Sequence, residues 1–215
     1  MAKYPIYLEM NGRRAVVIGA GAVAARKVQP LVEAGARVVV VAERVQPGFE
    51  QAFCLPHVEL ILSPYRKDYL VGATLVIAAT NDQTLNRQIY ADCQTLEVLC
   101  NVVDQPELCD FYVPAVVKRG DLQIAVSTDG HCPAYAGHLR KKLEELFTES
   151  HGQFVEALEA ARREAIAAIE DADQRKAVIG RLAGDESFEY FLRYGRDRWR
   201  QHSQNLIADY SNMPS

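Results

Sequence analysis

Apolar residues along this chain fall into two rhythms. Up to about residue 103 they come as compact runs, at residues 15–18, 38–41, 58–62, 74–79 and 98–103, separated by longer mixed stretches. Val38-Val39-Val40-Val41 and Leu75-Val76-Ile77-Ala78 show no polar alternation, the pattern of strands buried on both faces of a parallel sheet. Between the first two runs, Ala22-Val23-Ala24-Ala25-Arg26-Lys27-Val28 has helical composition, and Gly35 stands where a glycine ends a helix. A second helix is predicted through Leu85, Ile89 and Tyr90, with Asp82 as its N-cap. Residues 6–10 alternate weakly before Asn11-Gly12 and predict a short edge strand or a lead-in; residues 49–53 predict a short helix.

Beyond residue 110 the apolar runs are no longer separated by helices. Residues 111–117 and 122–127 flank only Lys118-Arg119-Gly120-Asp121, which predicts a hairpin, and Pro114 sets its first strand at an edge or bulge. A polar turn, residues 127–133, then opens a helix through Leu139, Leu143 and Leu146, with Pro133 suited to its first turn. From about Ser150 the period is helical, with Phe154, Leu158, Ala161, Ala165 and Ile169 on one stripe. Further helical segments surround residues 178–182 and 188–194, Gly184-Asp185 and Gly195 act as stops, and the last segment covers about 197–210.

The junction between the first run and the first helix carries the chemistry. Gly19-Ala20-Gly21-Ala22-Val23-Ala24 has the spacing G-x-G-x-x-A: the first glycine turns the chain, the second lets a pyrophosphate approach the backbone, and the alanine packs helix on strand. Gly19, Gly21, Ala22 and Val23 are therefore candidate cofactor contacts, because the free N–H groups of a helix start attract phosphate. Glu43 follows Gly19 by about 24 residues, where an acidic residue binds a ribose diol; Arg44 beside it suits a 2′-phosphate, and the reading favours NAD over NADP. Thr80 and Asn81 end the fourth run and Val102 lies in the fifth, at the strand ends where such sheets bind ligands. The other reading of these glycines is packing alone.

The fold class predicted is α/β, with a Rossmann-like parallel sheet over residues 1–112, a hairpin-and-helix module over 113–148 and a C-terminal helical domain over 149–215. Composition narrows the functions. A net charge of −4 argues against nucleic acid as the main partner, and no apolar run is long enough to span a membrane. Five cysteines without a C-x-x-C pair and an N-terminus without a signal-type apolar stretch suggest neither a disulfide framework nor a zinc ribbon, and a cytoplasmic location. His131, Cys132 and His138 match no defined metal spacing, so no metal site is predicted. A short-chain dehydrogenase is disfavoured because no tyrosine has a lysine four positions on.

Later segments are more specific. Asn101-Val102-Val103-Asp104, then Cys109-Asp110-Phe111-Tyr112-Val113-Pro114-Ala115, then Ala125-Val126-Ser127-Thr128-Asp129-Gly130 with Pro133, resemble the siroheme-synthase family of precorrin-2 dehydrogenases over nearly the whole chain. The resemblance implies NAD-dependent oxidation of precorrin-2, a tetrapyrrole, to sirohydrochlorin. Some members also insert ferrous iron into sirohydrochlorin, which is the alternative reading for this chain with ferrous iron as a second substrate, and some are fused to a methyltransferase that this chain is too short to hold. It further implies an intertwined homodimer joined through the module after Asp104. Asp104 matches the family's catalytic aspartate and is the candidate general base; the alternative is a turn aspartate before Gln105-Pro106.

Ser127, Thr128, Asp129 and Gly130 fall in the family's serine-rich substrate loop, commonly S-[ST]-G-G-x-S-P, from which Asp129 and Cys132 depart. Arg140, with Lys118, Arg119, Lys141 and Lys142, is a candidate for the substrate's carboxylates; a solvated helix face is the other reading. From another functional class, a non-catalytic NAD-sensing dimer would keep Gly19, Gly21 and Glu43 without needing Asp104.

Overall fold

β1 (Arg14–Ile18) lies at the centre of a parallel sheet that also contains β2 (Arg37–Ala42), β3 (Val58–Leu62), β4 (Leu75–Ala78) and β5 (Leu99–Val102), in the order β3-β2-β1-β4-β5. The computed structural model describes residues 3–212. The central strands are those without polar alternation: all four residues of β4 are buried, as are four of the five in β1. Helix α1 (Ala22–Glu33) covers one face through Ala24 and Val28, and α2 (Gln83–Thr95) covers the other through Ile89 and Cys93. Gly35, at φ +77°, ends α1 as predicted.

One expectation is resolved and one is revised. Residues 6–10 form no edge strand and are the lead-in to β1 that was the other expectation. The short helix near residue 50 is a single 3₁₀ turn at Ala52–Cys54, following a turn in which Glu50 Oε2 accepts the Gly48 N–H at 2.7 Å. After β5 the chain doubles back along its open edge. Asp110 donates its N–H to the Cys100 carbonyl at 2.8 Å and accepts the Cys100 N–H at 2.9 Å, while Asn101 Nδ2 donates to the Phe111 carbonyl at 2.9 Å. A sheet edge that would otherwise expose pairing groups is thereby covered.

The chain divides into two compact units, Met1–Val113 and Pro114–Ser215. In the second, β6 (Ala115–Arg119) and β7 (Leu122–Val126) form the antiparallel hairpin, which begins directly after Pro114, a residue with no N–H for a ladder. Four helices follow: α3 (Pro133–Leu146), α4 (Glu149–Ala168), α5 (Ala172–Leu182) and α6 (Asp185–Ser211). Gly195, at φ +81°, breaks α6 where a stop was predicted. Phe154, Ala161, Ala165 and Ile169 of the predicted stripe are buried, with Leu158 packed against them. Arg119 ties hairpin to helices by donating to the Phe147 carbonyl at 2.8 Å and the Glu144 carbonyl at 3.0 Å. Among the described residues no helix is long and apolar enough to cross a membrane.

Candidate dinucleotide site

Strand register builds the site. Ile18 pairs with both Val41 and Ala78, and Ala78 pairs with Val102. Ala20, Glu43, Thr80 and Asp104 each stand two residues beyond these partners, so all four loops leave the sheet at the same level. This is the carboxyl edge, where open parallel sheets bind ligands.

At that edge Gly19 holds φ +112°, and a Cβ there would lie 2.4 Å from the Ala79 carbonyl oxygen, so only glycine fits. Its N–H still donates to the Val41 carbonyl at 2.8 Å, which turns the chain without releasing it from the sheet. Gly21 is the N-cap of α1, with no side-chain cap and no acidic residue in the first turn. The Ala22 and Val23 N–H groups therefore open toward the edge, free of a competing carboxylate. A cradle that a side chain would fill, followed by an uncapped helix start, fits a dinucleotide pyrophosphate.

The connection after β2 folds over this turn. Gln46 donates its N–H to the Ala20 carbonyl at 2.8 Å, and its Oε1 lies 3.4 Å from where a Gly21 Cβ would stand. Gly48, at φ +91°, leaves only 3.0 Å between its own Cβ position and Ala22 Cβ. Sequence reasoning missed Gln46; the only signal was its closeness to Glu43. Glu43 and Arg44 are both exposed at the start of the same connection.

The other predicted residues play different parts. The Thr80 hydroxyl donates to Asn86 Oδ1 at 2.7 Å, and Asn86 Nδ2 donates back to the Thr80 carbonyl at 3.1 Å, so Thr80 shapes the loop while Asn81 is exposed beside it. Asn86, only 2 % exposed, was also missed; a polar residue in line with Ile89 and Cys93 on the buried face of α2 was its signal. Asp82 caps α2, accepting the Thr84 and Leu85 N–H groups. Val102 is buried in the core on the α2 side and sends no side chain to the edge. Asp104 is exposed at φ +60°, a left-handed conformation uncommon outside glycine.

The predicted substrate loop lies in the second unit. Ser127 Oγ accepts the Asp129 N–H and Thr128 Oγ1 accepts the Cys132 N–H, both at 3.1 Å, while Asp129 and Gly130 hold φ +55° and +80°. Arg140 is ion-paired with Glu144 one turn on, and Arg119 is spent on the α3 carbonyls; Lys118, Lys141 and Lys142 are exposed. His131, Cys132 and His138 are exposed, and among the described residues no three His, Cys, Asp or Glu side chains gather as a metal site.

Comparison with known proteins bears on both units. Residues 6–115 match a family model described as "Putative NAD(P)-binding", and residues 119–146 match one described as "Sirohaem biosynthesis protein central". A siroheme synthase of Thioalkalivibrio sulfidiphilus is 33 % identical over 204 residues, which cover 95 % of this chain and 42 % of that protein. Siroheme synthases of Psychrobacter sp. and Psychrobacter arcticus are 34 % and 37 % identical, over 87 % and 71 % of this chain. The chain thus spans between 28 % and 42 % of the length of these curated relatives. A solved structure described as SirC, precorrin-2 dehydrogenase, shares the fold with a TM-score of 0.74 at 21 % identity, covering 94 % of this chain and all of that one. The glycine turn is therefore that of an NAD(P)-binding domain, and the chain belongs to the siroheme-synthase family.

Proposed function

We propose that this chain oxidises precorrin-2 to sirohydrochlorin, using NAD bound across Gly19, Gly21 and Glu43 and Asp104 as general base. The observation that carries the reading is the common level at which the glycine turn, Glu43 and Asp104 leave the sheet. The substrate gives up a hydride and a proton. When bound, the nicotinamide supplies the hydride acceptor. The chain's own work is to hold the pyrophosphate on the α1 N–H groups, the ribose on Glu43, and a carboxylate at Asp104 that takes the proton. Lys118, Lys141 and Lys142 remain as exposed cations for the carboxylates of the tetrapyrrole. Anaerobic incubation of precorrin-2 with NAD and the protein is expected to yield NADH and sirohydrochlorin in equal amounts. Dinucleotide binding without turnover would favour the sensing module instead.

The choice of NAD rests on Glu43, whose carboxylate accepts from a ribose diol and repels a 2′-phosphate. Glu43→Gln is expected to weaken NAD about tenfold and to leave NADP unchanged or tighter, as loss of one charged hydrogen-bond acceptor implies. Titration with both dinucleotides decides it, and equal losses would remove the reason for choosing NAD.

The module over residues 113–148 serves, in this reading, to join two copies of the chain. Support comes from Val116 on the hairpin and Tyr135 and Leu146 on α3, which leave apolar surface exposed at 37 %, 54 % and 65 %. Sedimentation is expected to show a dimer, whereas a monomer at every concentration would refute it.

A further inference from the structure

The connection after β2 lies over the glycine turn and is fastened there at three points. Gln46 donates its N–H to the Ala20 carbonyl at 2.8 Å. Two residues on, the Cβ position of Gly48 is 3.0 Å from the Ala22 Cβ, so the two backbones are in close contact. Phe49, fully buried, anchors the far end in the core. The segment is also closed on itself: the Phe49 N–H donates to the Gln46 carbonyl at 3.3 Å, and the Gly48 N–H donates to Glu50 Oε2 at 2.7 Å. The backbone of Gln46 is therefore held against the turn, and its side chain has only its own torsions to adjust.

That side chain reaches the second glycine. Its Oε1 lies 3.4 Å, and its Cδ 4.0 Å, from the point where a Gly21 Cβ would stand. This point is the space that the second glycine of a G-x-G-x-x-A turn leaves empty so that a pyrophosphate can approach the backbone. The end of the Gln46 side chain thus borders the place of the anion. The residue is exposed, and among the described residues its carboxamide has no hydrogen-bond partner. Rotation about the last bond of the side chain exchanges Oε1 and Nε2, which brings two N–H donors to the same position. No acidic residue in the first turn of α1 competes for them.

We propose that Gln46 is a dinucleotide-binding residue, its carboxamide donating to a pyrophosphate oxygen alongside the Ala22 and Val23 N–H groups. The pyrophosphate is common to NAD and NADP. Gln46 therefore adds affinity for both and leaves the choice between them to the ribose end of the site at Glu43. The inference rests on the glycine turn as the NAD(P) site and is independent of Asp104 and of the substrate.

A glutamine that only braced the loop would behave differently, because the sign of the charge at its tip would not matter. The test is calorimetric titration of the full chain with NAD and with NADP, for the parent, Gln46→Ala, Gln46→Glu and Gln46→Arg. Gln46→Ala is expected to weaken both dinucleotides equally, by about tenfold, the effect of losing one hydrogen bond to a charged group. Gln46→Glu should weaken both by about a further tenfold, since a carboxylate of the same length faces the phosphates. Gln46→Arg should bind both within about twofold of the parent or more tightly, because a guanidinium donates to phosphate in the same way. All three should unfold at the parental urea concentration, as the side chain is exposed.

Unchanged or tighter binding by Gln46→Ala, a loss confined to one dinucleotide, or the same loss in all three variants would each overturn the inference. A parent that binds neither dinucleotide would remove the glycine turn as the site, and the role of Gln46 with it.

Discussion

Asp104→Asn is expected to slow NADH formation from precorrin-2 and NAD by about 10²- to 10⁴-fold, the usual contribution of a positioned general base. The substitution isolates the proton acceptor. Asparagine is nearly isosteric with aspartate and tolerates a left-handed backbone, so φ +60° adds no new strain. The side chain is exposed, so no core is disturbed. Dinucleotide affinity should stay within about twofold, because the phosphate turn and Glu43 follow other strands. Single-turnover kinetics together with an NAD titration separate the outcomes. Loss of affinity with kcat preserved would make Asp104 a binding residue, and no change in either would make it a turn residue only.

Trp199→Ala is expected to cost the second unit about 3–5 kcal/mol, the range for truncating a large buried aromatic. Trp199 is 1 % exposed, packs edge-on to Phe154 with ring centroids 5.4 Å apart, and meets Phe191 at 6.1 Å. Its Nε1 donates to Ser187 Oγ at 2.8 Å in a fully buried setting. Ser187 precedes the break at Gly195 and Trp199 follows it, so this bond pins together the two halves of α6. Alanine leaves both a cavity and a serine oxygen without its donor. Trp199→Phe keeps most of the ring and should cost about 1–3 kcal/mol, the penalty for an unpaired buried polar group. Urea unfolding followed by far-UV circular dichroism suits both variants, since the chain has no other tryptophan to report on them. A loss below about 1 kcal/mol for the alanine variant would contradict the packing argument.

Where the sequence could be read, the determinants were local. The β1–α1–β2 unit was legible because an unbroken β-branched run, two glycines one residue apart and a terminating glycine act within a few residues of one another. Asp82 as a cap, Pro133 at a helix start and Gly195 as a break were legible for the same reason. The motifs around Asp104 and Ser127 also sufficed to indicate the family.

Other features needed partners far along the chain. Residues 6–10 carry a weak strand pattern, but whether they pair depends on the sheet's edges, which are β3 and β5, strands far along the chain. Arg119 and Arg140 read as free cations until the end of α3 and Glu144 claimed them. Gln46 over the glycine turn and Asn86 behind Thr80 belong to no spacing rule; each is placed by a loop folding back on another strand's end.

The sequence by itself determined the strands of the parallel sheet, the glycine turn and the family, because backbone conformation and hydrophobic periodicity are properties of neighbouring residues. Only the tertiary structure decided which side chains remain available for chemistry and which groups share the edge with Asp104. A parallel sheet brings together strand ends distant in sequence, and no local pattern encodes that register.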